Sequence, residues 1–198
     1  AILFKRGDKF RFGETINACN SHIYGAYGEG SKPKIYGSPE NYAESDKWTK
    51  HQGNIWKIPF DYPEACGLVL NHSETVGIKK KKLSSIRKNG DYFHDTKNGT
   101  FYLYSSNGIP SSAYKDIEIM PSLTLFTCDL GNNDVIIDNL CLKYTAGFAI
   151  HVIDAKDFTV TNCEIGFVGG KWTGNHKLRY GNAIEFWTGA EDIKVENN

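Results

Sequence analysis

Apolar and polar side chains alternate along residues 132–167 with the period of a β-strand, and the alternation comes twice. Asp134, Val135, Ile137, Asn139 and Leu142 of the first pass return as Asp157, Phe158, Val160, Asn162 and Ile165, 23 residues later. A third pass at the end of the chain, "AEDIKVENN", supplies Asp192, Ile193, Val195 and Asn197 after a further 35 residues, the excess being a glycine-rich insertion. Each pass is preceded by a short run, "FTCDL", "AIHVI" or "AIEFW", and the first two are followed, beyond a turn at the Asn, by "LCLKY" or "CEIGF". The pattern predicts three short strands per repeat of about 22 residues, and a period in the low twenties with loop-sized insertions marks a solenoid.

Strands stacked in register in this way predict an all-β chain, a right-handed parallel β-helix in which each coil lies about 4.8 Å above the last. An Asn at the same turn of every coil carries both a donor and an acceptor. Asn139, Asn162 and Asn197 are therefore expected to stack as a ladder bonding the backbone of neighbouring turns, against the simpler reading that Asn suits a turn. Residues 1–37 alternate short β runs with Gly and Pro and read as the first coils. Residues 38–120 break the period. With "KNG" in a hairpin position between "DYFHD" and "TFYLYS", they read as an inserted antiparallel region of sandwich or hairpin type. Residues 121–198 resume the coils.

Composition removes several alternatives. The 198 residues include 23 basic and 23 acidic side chains and are 40% hydrophobic, enough for a real core and with no global attraction to nucleic acid or an anionic membrane. The basic run Lys79–Lys82 reads as a solvated face, no apolar run reaches the length of a membrane span, and no leader opens the chain. The five cysteines are odd in number and lack zinc-site spacing. Cys163 occupies the repeat position of Leu140 and reads as a buried thiol, so no disulfide framework or metal is expected.

The segments "GDKFRFGETI", "IYGAYGEGSKPKIYGS", "GNIWK", "DYFHDTKNGTFYLYS" and "RYGNAIEFW", in this order, resemble the bacterial right-handed parallel β-helix carbohydrate-active proteins of the pectin-lyase-like superfamily. The resemblance is nearest to members with a β-sandwich inserted between early and later coils, such as the β-helix β-xylosidases. It implies a secreted or periplasmic protein acting on poly- or oligosaccharide, by hydrolysis or by pectate-lyase-type elimination. It also implies a fragment, since such relatives begin earlier and continue for further coils. A coil left open at its end is expected to self-associate, and these residues alone to be inactive.

The chemistry is expected where the insertion "GFVGGKWTGNHKLRYG" overhangs the first strand of each coil. There His151 and Glu185 are predicted to point outward, one above the other, with Cys128 in the same position one coil earlier. Glu185 reads as one of the two carboxyl groups a glycosidase needs, its partner lying beyond residue 198, or else as a solvated residue or ion-pair partner of Arg179. His151 reads as a sugar-binding or proton-transfer group. Trp172 is a candidate platform for a pyranose ring, and His176 and Arg179 could reach a hydroxyl or carboxylate, or only hold the loop. Hydrolysis calls for no cofactor. A lyase would need a base, for which Lys143 and Arg179 are available, and commonly Ca²⁺, whose dense Asp cluster is not evident. His94 and Asp95 in "YFHD" invite a catalytic reading but fall in a hairpin context. A non-catalytic carbohydrate-binding or structural β-helix is the alternative.

Overall fold

The computed structural model describes residues 1–129, 131–172 and 178–198. Three parallel sheets carry the repeats. The first runs Ile184–Trp187, Ile150–Ile153, Phe126–Cys128, Ile16–Asn17. The second runs Ile2–Lys5, Ile23–Tyr27, Asn133–Asp138, Lys156–Thr161, Lys194–Glu196, and the third Glu164–Val168, Cys141–Thr145, Lys34–Tyr36, Lys9–Arg11. The chain visits first, second and third sheet in turn, so each circuit lays one strand on each sheet and the next circuit pairs with it in parallel.

Register follows the repeat. Val135 pairs with Phe158, and Ile137 with Val160, which in turn pairs with Val195. Val135, Ile137, Phe158 and Val160, with Phe126, Leu142, Ile150 and Val152, fill one continuous core between the sheets, while Val195 on the last strand is half-exposed. Leu140 and Cys163 lie in that core at equivalent positions, and all five cysteines are free thiols.

The repeated polar residues mark corners of the coil. Asp134, Asp157 and Asp192 have φ of 57°, 53° and 52°, and Asn139, Asn162 and Asn197 have φ of 62°, 52° and 56°. Left-handed backbone is unfavourable for most side chains and least so, glycine apart, for Asn and Asp. The repeat of Asp and Asn is therefore a repeat of backbone conformation. The expected amide ladder is not built at Asn139, Asn162 and Asn197. Asn162 Nδ2 donates instead to the Asp138 carboxylate, at 2.8 Å. Bonds from side-chain amides to the backbone of a neighbouring coil come from other positions. Asn20 Oδ1 accepts the Asn133 amide at 2.5 Å, and Asn133 Oδ1 that of Lys156 at 3.1 Å. Asn198 accepts from the Cys163 amide at 2.8 Å and donates to the Val160 carbonyl at 3.0 Å.

After Tyr36 the chain leaves the third sheet and re-enters the first at Phe126, and the two circuits on either side pair directly, Ile16 with Phe126 and Ile35 with Leu142. Between them lie a five-stranded sheet (Ile78–Lys79, Asp91–Asp95, Thr100–Tyr104, Ile55–Pro59, Thr49–Gln52) and a three-stranded one (Ile117–Pro121, Ala65–Leu70, Thr75–Val76). Their pairs are antiparallel except for Ile78–Lys79 against Asp91–Asp95, and they enclose a core of Tyr42, Trp48, Phe60, Phe101 and neighbouring aliphatics. Arg11 of the third parallel sheet reaches across to buried Glu118 with two bonds of 2.7 Å, tying the two regions together. The chain is thus all-β with mostly parallel sheets.

Candidate functional site

On the first sheet the inward positions are Ile150 and Val152, which leaves the alternate residues facing out. His151 pairs with Glu185 on one side and Thr127 on the other, so the outward ladder is Thr127, His151, Glu185. Cys128, expected in that ladder, is instead buried against the core, paired with Val152; burial pushes its thiol up to about 11. In "FTCDL" the apolar residues Phe126 and Cys128 share one phase and Thr127 and Asp129 the other, so the alternation itself turns Cys128 inward.

A hairpin of Lys171–Trp172 and Arg179–Tyr180 overhangs this ladder. Its foot is bolted by three glycines. A Cβ on Gly147 would meet the Leu123 carbonyl oxygen at 2.4 Å, one on Gly169 the Gly181 oxygen at 2.6 Å, and one on Gly181 the Gly147 oxygen at 2.3 Å. Only glycine permits these backbones to approach so closely. The Lys171 amide then donates to the Ala146 carbonyl at 2.9 Å, which fixes the hairpin over the sheet.

Between hairpin and sheet lies a cleft of about 760 Å³, lined by Phe148, His151, Tyr180, Trp187 and Glu185 with Lys171, Arg179, Asn182, Thr124 and Gly181. The His151 ring lies parallel to Phe148, centroids 4.5 Å apart, and edge-on to Trp187 at 4.9 Å. Its Nε2 is buried and has no hydrogen-bond partner among the described residues. Glu185 is held by its strand neighbours: Asn182 Nδ2 donates to one carboxylate oxygen at 2.8 Å and the Trp187 indole N–H to the other. The carboxylate takes these bonds and none from Arg179. Glu185 is the only carboxylate among the described residues lining the cleft.

The structure thus brings together His151, Glu185 and Arg179 of the expected residues. Trp172 is not among the lining residues; the Arg179 guanidinium sits 4.4 Å from its ring centre. His176 lies outside the described residues. Lys143 is on another sheet, ion-paired with Glu164 at 2.5 Å, and does not reach this cleft. His94 is structural: its Nδ1 accepts the Ala65 amide at 3.0 Å and its Nε2 donates to the Phe60 carbonyl at 3.0 Å. Among the described residues no three His, Cys, Asp or Glu side chains are grouped to hold a metal ion.

Sequence reasoning missed Trp187, Phe148, Tyr180, Lys171 and Asn182. Trp187 was legible, because a residue two beyond Glu185 shares its strand face. Phe148 and Tyr180 reach the cleft only through the glycine-bolted loop, which no periodicity encodes.

No family model matches the sequence, and no curated protein matches it. Among solved structures, the complex of XylC with xylose is similar to this chain, with a TM-score of 0.50 and 13% identity, over 83% of this chain and 37% of XylC. The chain therefore spans little more than a third of the length of that relative, and at this identity the likeness speaks for the fold alone.

Proposed function

We propose that this chain is part of a right-handed parallel β-helix protein that binds a saccharide in the cleft over the first sheet and, in the whole protein, hydrolyses a glycosidic bond there. The observation that carries this reading is the arrangement around Glu185. A carboxylate oriented by two donors stands beside an imidazole whose buried nitrogen has no partner among the described residues, among three aromatic side chains, one of them half-exposed Trp187. Sugars are recognised by such mixtures, with ring faces against aromatic carbon and hydroxyls bonded to fixed polar groups. His151 Nε2 and Glu185 would take hydroxyls of one sugar unit, with the Trp187 ring against its apolar face. XylC, similar in fold, was solved with xylose, which makes pentose-containing oligosaccharides the first ligands to test.

Hydrolysis requires a second carboxyl group about 5–9.5 Å from the first. A strand added beside Ile184–Trp187 would place a side chain about 5 Å from Glu185, within that range. Elimination is the second reading, favoured by Lys171 and Arg179 on the cleft wall, a cationic pair suited to a base and an anion clamp. Titration with xylo-oligosaccharides, followed by tryptophan fluorescence, is expected to saturate. Trp187→Ala should weaken binding at least about fivefold, as loss of one aromatic contact of about 1 kcal/mol or more does. Binding indifferent to both Trp187→Ala and Glu185→Gln would sink the assignment of the cleft. In the whole protein, reducing ends without an unsaturated product would mark hydrolysis, and the reverse elimination. Binding without cleavage that survives Glu185→Gln would mark a non-catalytic module.

A further inference from the structure

A second cleft, of about 720 Å³, lies at one end of the five-stranded antiparallel sheet, remote in sequence from Glu185. One side is the turn joining Thr49–Gln52 to Ile55–Pro59, and the other is the single-turn helix Leu83–Ser85 with Ile86 and Arg87. The chain as a whole has no net charge, yet residues 50–55 and 79–88 hold seven lysines and arginines and no Asp or Glu. Lys79 and Lys80 are spoken for, ion-paired with Glu64 at 2.5 Å and Asp91 at 2.9 Å. Lys81, Lys82, Arg87 and Lys88 are exposed.

Asp91, the carboxylate that shapes this turn, is buried and fully engaged. One oxygen takes Lys80 and the other the amides of Arg87 and Lys88, at 2.9 and 3.1 Å. It fixes the loop so that the Arg87 side chain is presented at the cleft, where Nη1 donates to the Ile86 carbonyl at 3.1 Å and the remaining guanidinium donors are left for a ligand. The rest of the polar lining is the His51 imidazole with amides and hydroxyls: Gln52, Ser84, and Asn54, which donates to the Tyr104 hydroxyl at 3.1 Å.

We infer that this second cleft binds an acidic saccharide chain, a carboxylate or sulfate group taken by Arg87, with exposed Lys88 next in sequence outside the lining, and its hydroxyls by Gln52, Asn54 and Ser84. A carboxylate or sulfate matches the forked guanidinium. Single-stranded nucleic acid fits less well, because successive bases need a series of stacking platforms and the lining has two rings, Tyr104 and His51, the latter already packed edge-on against Tyr102 at 5.2 Å.

The test is calorimetric titration of the 198-residue chain with oligogalacturonate, with a heparin-derived oligosaccharide, with a neutral dextran oligomer and with a single-stranded oligonucleotide of matched charge. Saturable binding of one of the two acidic saccharides is expected, and which one responds identifies the anion. Arg87→Ala should weaken it about tenfold, as loss of one charge-assisted bond does. Lys88→Gln, which keeps the backbone amide that Asp91 holds, should weaken it less, and Glu185→Gln not at all. That last result separates this site from the cleft on the parallel sheet. Equal affinity for acidic and neutral saccharide, tighter binding of the oligonucleotide, absence of saturation, or sensitivity to Glu185→Gln without sensitivity to Arg87→Ala would each overturn the inference.

Discussion

The stacked coils and the antiparallel sheets bend and secure their chain with different residues. In the coils the left-handed corners fall on Asp134, Asn139, Tyr144 and their counterparts one circuit on, Asp157, Asn162 and Phe167. In the antiparallel region Gly53, Gly90, Gly99 and Gly108 and the run Asn71, His72, Ser73 supply them, none at a repeat interval, whereas the coils use glycine mainly outside the repeated corners, as at Gly7, Gly28 and Gly189. The coil core is almost wholly apolar, each strand held by like side chains above and below. Asp91, His94, Asp116 and Glu118 of the antiparallel region, by contrast, are all buried, bonded to Lys80, Ala65, His72 and Arg11 respectively. Repetition spreads the stability of the coils over many equivalent contacts. The antiparallel region concentrates it in a few polar pairs that cannot be halved without stranding a partner.

The sharpest way to break that contrast is Glu118→Ala. The Arg11 guanidinium, mostly buried, would lose two bonds of 2.7 Å and keep the Ser38 carbonyl at 3.0 Å. A loss of about 3–5 kcal/mol is expected, the usual result of removing one member of a buried pair. Replacing both members, as in Arg11→Met with Glu118→Leu, should recover most of it, because no charge is then left unpaired. Urea unfolding measures both. A single variant no worse than the double would show that the bridge contributes little between these regions.

His94 gives a smaller effect with a pH signature. Burial holds its imidazole below the ordinary value of about 6.5, so the folded state favours the neutral ring, with Nδ1 accepting from Ala65. Its contribution is complete above about pH 6.5 and declines as pH falls, because the unfolded chain protonates first. Protonation in the fold would remove the acceptor and complete the loss. His94→Gln is expected to cost roughly 1–3 kcal/mol near neutral pH and to flatten the stability profile between that point and the carboxylate range. An unchanged slope in urea midpoints against pH would assign it to other groups.

These differences set what could be read from the sequence. The strands of residues 132–167 followed from a 23-residue offset, because identical corners recur at identical spacing, and the His151–Glu185 pair from laying "AIHVI" over "AIEFW" 34 residues on, whereas Cys128 was placed on the wrong face. At the left-handed corners Asn162 bonds the Asp138 side chain, and the amide-to-backbone bonds between coils come instead from Asn133 and Asn198, each next to a corner. Phe148 and the glycine-bolted hairpin were hidden, since close approach of Gly147, Gly169 and Gly181 is set by packing and not by period. In the antiparallel region the turn at Gly99 was visible, but the partnership of Arg11 with Glu118, 107 positions away, leaves no local trace.

The smallest effect belongs to a single corner. Asn139 has φ of 62°, and its amide donates to the Thr161 carbonyl at 3.0 Å through the backbone, which no substitution but proline would remove. Asn139→Ala therefore tests backbone conformation almost alone, and a loss of about 1 kcal/mol is expected from forcing an alanine into left-handed geometry. Asn139→Gly should lie closer to wild type, since glycine accepts this geometry at the cost of a more flexible unfolded chain. If instead the glycine variant is the worse of the two, the side-chain amide and not the corner is what the coil needs at this position. The comparison of Asp and Asn corners with glycine turns would then have to be redrawn around hydrogen bonding.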